Sequence, residues 1–164
     1  MPASITGLFA RDDNGQFQPV SVEYIIKTAL AILDEKIMRK GQILDPVDAC
    51  AYFSLRLGAL EHEVFAIIFL DSQNRIIEYA ELFRGTLSQT SVYPREIVKM
   101  ALRTNAGGVM LAHGHPSGVA EPSHADEMLT KTLVSALALI DVRVHDHIIV
   151  GGGTAMSFAL RGLL

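Results

Sequence analysis

Cysteine is almost missing from this chain of 164 residues. Cys50 stands alone, so no intrachain disulfide and no cysteine-rich zinc knuckle can form. Any metal has to be held by histidine and carboxylate. Long apolar runs are missing too: the longest is residues 64–70 (VFAIIFL), far too short to span a bilayer. The first residues show no charged stretch leading into an apolar one, so no secretory leader and no membrane partner are expected, and the chain is read as cytoplasmic. A basic excess is absent as well. With 14 Lys and Arg against 18 Asp and Glu the net charge is −4, which argues against a domain built to wrap nucleic acid while leaving local basic patches open. There is no internal repeat and no low-complexity tract. What is present is ordinary globular stuff, 49% hydrophobic and 20% charged, enough for one domain with its own core and a short extension.

Two segments are expected. Residues 1–45 comprise an N-terminal arm and a helix, and residues 46–164 form the main domain. Residues 1–20 have no hydrophobic period and are read as a mobile arm. Over residues 21–40 the apolar positions Val22, Ile25, Ile26, Ala29, Leu30 and Leu33 fall at helical spacing, with Ser21 as cap and Gly41 as stop. A second helix starts with Asp45 as cap and Pro46 in the first turn, and runs through Tyr52 and Leu55 towards Gly58.

From there the texture changes. Residues 63–70 (EVFAIIFL) suit a strand buried on both faces. A turn at 71–74 and a partner strand over 75–83 make a hairpin. A helix over 93–103 is broken by 105–108, and a short strand over 109–112 delivers His113. A long helix over 123–140 turns Met128, Leu129, Leu133, Leu137 and Ile140 inward. A strand over 142–150, a turn at 151–153 and a last strand over 155–160 close the chain. Strands interleaved with helices imply an α/β fold, a central mixed β-sheet flanked by helices.

Chemistry concentrates at His113-Gly114-His115-Pro116-Ser117-Gly118. In extended backbone, side chains two apart point the same way, so both imidazoles can address one point. Asp126 falls in the first turn of the following helix, where the helix dipole favours a carboxylate. If that turn folds back over the strand end, His113, His115 and Asp126 supply three ligands of a tetrahedron, with the fourth position left for water, as in catalytic zinc sites. A plainer account also exists: Ser123-His124-Ala125-Asp126 is a capping box, which explains Ser123 and Asp126 without a metal. The two are compatible.

The pattern His-X-His-Pro, six residues, then Ser-X-X-Asp resembles the JAMM motif of JAB/MPN metalloproteases. More narrowly, EVFAIIFLDSQNRII, FRGT, VYPREIVKMALRTNAGGVMLAHGHPSG, EPSHAD and DHIIVGG resemble the RadC family, over roughly residues 46–164. Gly114 departs from the polar residue often found between the two histidines, and its side of the strand should face away from the metal. The resemblance implies a mixed sheet flanked by helices, zinc as cofactor and a peptide or protein substrate cut at an amide, peptide or isopeptide bond. It also implies a distant glutamate as general acid/base, matched here by Glu63, with Glu61 on the same face as runner-up. Ser123 would donate a hydrogen bond to the tetrahedral oxyanion.

Other features carry less. His145 and His147 are placed on one strand face, where a structural or supporting role is preferred to a second metal. His62 and His124 are exposed polar neighbours. Gly151-Gly152-Gly153 lacks a following Lys-Ser/Thr and is a turn, not a phosphate loop. A binuclear His-X-His-X-Asp-His pattern fails at Ser117, and a zinc deaminase fails for want of a Cys-X-X-Cys pair. The rival function is a DNA-associated or DNA-processing role, for which Arg95, Lys99 and Arg103 offer one basic helix face. Such a stripe is more often a solvated surface.

Overall fold

The computed structural model describes residues 7–11, 14–40, 46–85 and 92–164. Strand β3 (Val64–Leu70) is buried at all seven positions, and its alternation divides the core. Val64, Ala66, Ile68 and Leu70 pack with Ala49, Tyr52, Phe53 and Leu57 of helix α2 (Pro46–Leu57). Phe65, Ile67 and Phe69 pack on the opposite side with Ile97 and Ala101 of helix α3 (Pro94–Thr104) and Leu133 and Leu137 of helix α4 (His124–Ala138). A strand apolar on both faces needs a layer on each, and this sheet has them.

The remaining strands are β4 (Ile76–Arg84), β5 (Gly108–Gly114), β6 (Arg143–Gly151) and β7 (Thr154–Ser157), in the order β4-β3-β5-β6-β7. Only β5 and β6 run parallel, joined by α4 as the crossover; the other neighbours are antiparallel. The fold is therefore α/β with a mixed sheet between helices, as expected. The helix capped by Ser21 is α1 (Val22–Lys40), with Tyr24 N–H donating to Ser21 Oγ at 3.1 Å. Gly41 and Asp45, expected as stop and cap, lie outside the described residues. No helix among the described residues is long and apolar enough to cross a membrane.

Four local expectations need correcting. The arm holds a short hairpin, β1 (Phe9–Arg11) with β2 (Phe17–Pro19). Phe9 and Phe17 stay exposed on it, so no buried face imposes a period that the sequence could reveal. Met128 points outward, half-exposed, while Thr130 takes the inward position in line with Leu133 and Leu137. The last strand stops at Ser157, because Ala159 N–H and Leu160 N–H turn back to Asp146 and Ser157. Finally, the parallel register slips between Val109↔Val144 and Met110↔Asp146, leaving His145 unmatched in the ladder. This bulge breaks the alternation, so His145 lies over Gly108 while His147 turns to the α4 side. A β-carbon at Gly108 would lie 2.4 Å from His145 Nε2, so the ring would have to shift.

Candidate metal centre

The odd-numbered residues of β5 face α4. Val109 and Leu111 enter that core and His113 follows them, buried, with its ring stacked on Phe65 at 6.0 Å between centroids. Gly114 faces the other way: a β-carbon there would meet Leu57 of α2 at 3.6 Å, so the residue between the histidines is turned from the site. His115 lies just beyond the strand end, partly exposed, its main-chain N–H bonded to the Val150 carbonyl at 2.7 Å. The chain then turns through Gly118 and enters α4 at Ser123.

That entry is a capping box. Asp126 N–H donates to Ser123 Oγ at 3.2 Å and Ser123 N–H donates to Asp126 Oδ2 at 2.7 Å. The Ser123 hydroxyl also donates to Asp126 Oδ2, at 2.6 Å. The box uses Oδ2 and leaves Asp126 Oδ1 turned to His113, so capping and convergence occur together.

His113, His115 and Asp126 form the one group of three or more metal-ligating side chains found among the described residues. His113 Nε2 lies 2.9 Å from His115 Nε2 and 3.2 Å from Asp126 Oδ1, and His115 Nε2 lies 3.6 Å from Asp126 Oδ2. Two donor atoms at ordinary zinc bond lengths and the tetrahedral angle would be about 3.3 Å apart. The separations, taken to Oδ1 for His113 and to Oδ2 for His115, lie on either side of that value. The proton positions fit too. His115 Nδ1 sits 2.8 Å from the Val119 carbonyl, which can only accept, so Nδ1 carries a proton and, in the neutral ring, Nε2 presents a lone pair. His113 Nε2, His115 Nε2 and the Asp126 carboxylate thus converge on one point. A cation or a proton satisfies such a point, and the donor set of two imidazoles and one carboxylate suits zinc.

The electrostatics agree. Burial pushes the Asp126 carboxyl up, but its contacts with His113, His115 and Ser123 outweigh that and hold it well below the usual carboxylate range. His115 is raised, first by the Asp126 carboxylate and to a smaller extent by the Val119 carbonyl and the charge of Glu63, against the lowering effect of burial. Glu63 precedes β3, whose Phe65 is paired with His113, and its carbonyl accepts from Gly85 N–H at 2.8 Å. Glu61 is exposed. A cavity of about 160 Å³ opens beside His115, lined by Leu57, Gly58, Gly114, Gly118 and Gly152.

Of the remaining residues singled out by sequence, His62 contacts Arg84 at 3.3 Å and His124 is exposed on the helix. Arg95 and Lys99 both pair with Glu96, at 3.5 and 2.8 Å, and Arg103 pairs with Glu78 at 3.0 Å. Missed by sequence was Thr130, whose hydroxyl lies 2.6 Å from His147 Nδ1, while His147 Nε2 lies 2.9 Å from His113 Nδ1. Its spacing of four from Asp126, on the same helix face, was the available signal.

A mixed sheet that carries His-X-His at a strand end, opposite an aspartate in the first turn of the crossover helix, defines a JAB-type domain. The family model of the RadC-like JAB domain matches residues 43–163, and the chain belongs to the RadC family. It is 49% identical over 164 residues to a UPF0758 protein of Leptothrix cholodnii, covering 100% of this chain and 74% of that protein. A UPF0758 protein of Nitrosospira multiformis is 48% identical over 168 residues, covering 98% and 75%. One from Albidiferax ferrireducens is 64% identical over 140 residues, covering 85% and 60%. These names state no activity.

Proposed function

We propose that this chain is a zinc-dependent hydrolase that cleaves a peptide or isopeptide bond. The observation that carries the reading is the convergence of ligating atoms of His113, His115 and Asp126 on one point. A zinc ion held there supplies Lewis acidity and brings the pKa of a water down to about 7.

The chain's own residues supply the rest. Glu63, at the start of β3, takes a proton from the attacking water and returns it to the leaving nitrogen as the carbon–nitrogen bond breaks. Its charge acts on His115, and it is preferred to Glu61 for its place immediately before β3. Ser123 has one hydroxyl proton, and it is engaged by Asp126. The hydroxyl reaches a developing oxyanion only by giving up that bond, so Ser123 holds Asp126 first and stabilises the oxyanion second. The DNA-associated alternative draws no support from the basic helix face, whose cations already pair with carboxylates.

The test is a paired assay of the whole chain on peptide and isopeptide libraries and on DNA, with and without chelator. Amide hydrolysis abolished by chelator is the expected result. Glu63→Gln should keep its zinc while turnover falls by on the order of a hundredfold, and Glu61→Gln should do little. An inactive Glu61→Gln beside an active Glu63→Gln moves the acid/base by two residues. Chelator-sensitive cleavage of DNA alone overturns the assignment of substrate.

A further inference from the structure

We propose that His147 and Thr130 are positioning residues for the metal centre: they fix His113 in the tautomer that turns its Nε2 lone pair to the metal, and they tie that tautomer to the main chain of Asp126. This rests on the reading of His113, His115 and Asp126 as metal ligands.

The polarity can be worked out from one end. Thr130 Oγ lies 2.6 Å from the Asp126 carbonyl oxygen and 2.6 Å from His147 Nδ1. A carbonyl only accepts, so the hydroxyl donates to it. Turned the other way, two oxygens would face each other at 2.6 Å with no proton between them. The threonine oxygen therefore accepts from His147, and Nδ1 of that ring carries the proton. His147 is fully buried, stacked on Phe158 at 4.9 Å and edge-on to Phe65 at 5.6 Å, a setting in which a charged ring is costly. With its single proton on Nδ1, its Nε2 accepts. Across 2.9 Å, His113 Nδ1 then has to donate, and the lone pair of His113 is left on Nε2, the atom that faces His115 and Asp126.

A threonine bonded to the carbonyl four residues back is common in helices, and a buried histidine commonly finds a partner. What exceeds those commonplaces is closure. The chain starts on one ligand side chain, passes through two residues that touch no ligand lone pair, and ends on the main chain of another ligand. His113 and Asp126, from different elements, are thereby held as one unit. Partners of this kind typically change metal affinity by ten- to a hundredfold.

The experiment uses the whole chain and two readouts. In the metal-free protein, nitrogen-15 NMR of the imidazoles reports tautomers directly, and both His113 and His147 should show a protonated Nδ1 and a bare Nε2. The second readout is zinc affinity, measured by competition with a chromophoric chelator. Thr130→Val, which keeps shape and removes the hydroxyl, should weaken zinc by on the order of tenfold, and His147→Phe by up to about a hundredfold. Thr130→Ser should restore wild-type affinity. Wild-type zinc affinity in Thr130→Val, which preserves packing even where His147→Phe does not fold, overturns the proposal. A proton on Nε2 of His147 overturns it too. A wild-type chain with no affinity for zinc instead fails the metal reading itself, and takes the purpose of the relay with it.

Discussion

Two adjacent residues of β6 open onto two buried polar clusters that end differently. Asp146 is closed. Its Oδ1 accepts from His147 N–H at 2.7 Å and Ala159 N–H at 2.9 Å, and its Oδ2 accepts from Ser157 Oγ at 2.5 Å. Ser157 Oγ in turn accepts from Leu160 N–H at 3.1 Å. Every group has its partner, and the result is a staple that bends the C-terminal segment back over β6. His147, one residue on, heads a chain that runs open, to His113 Nε2 and on to the three side chains that can each offer a metal a ligand atom. Buried polar groups are ordinarily satisfied from within the protein. A closed cluster therefore belongs to the fold, and an open one points to something the fold is meant to hold.

The largest effect that sharpens this contrast is on stability. Asp146→Ala strands three donors, which should lower the unfolding free energy by on the order of 3 kcal/mol. Zinc bound per folded chain should stay at the wild-type level, read by denaturant unfolding and metal content on the same samples. Loss of zinc with unchanged stability would reverse the two roles. A smaller effect compares two serine caps. Ser21 on α1 and Ser123 on α4 each accept a main-chain N–H, at 3.1 and 3.2 Å. Alanine at either position should cost about 1 kcal/mol. Only Ser123→Ala should also weaken zinc, because only Ser123 donates to a ligand oxygen. Equal zinc affinity in the two variants would show that the box is a cap alone.

The smallest effect is in pH. His115 is raised in the folded metal-free protein, so its contribution to stability is fully present below the unfolded value near 6.5 and is lost as pH rises through the higher folded value. Zinc needs that ring unprotonated, so its affinity changes in the opposite sense. The melting temperature gained on adding zinc should therefore grow as pH rises through this window. A gain that shrinks with rising pH would place the proton elsewhere.

Much of this was legible in the sequence, for physical reasons. EVFAIIFL announces a strand covered on both faces, and β3 is buried at every position. His113-X-His115 at a strand end and Ser-X-X-Asp at a helix start are local patterns, and the fold brings the two together. What was not legible depends on partners distant in sequence. The bulge at His145 is set by the register against β5, so no reading of β6 alone could separate His145 from His147. Thr130 gave no signal of its own, because Met128 was the more apolar candidate for the inner face. The end of β7 is set by the carboxylate of Asp146, eleven residues before Ser157.

The central claim is that His113, His115 and Asp126 hold zinc, and metal content measured on the wild-type chain and on Asp126→Ala tests it most directly. The wild type should carry about one zinc per chain, and Asp126→Ala should lose most of it while remaining folded. Wild-type occupancy in Asp126→Ala would leave that residue a helix cap, and a wild-type chain that takes up no zinc would contradict the account at its root.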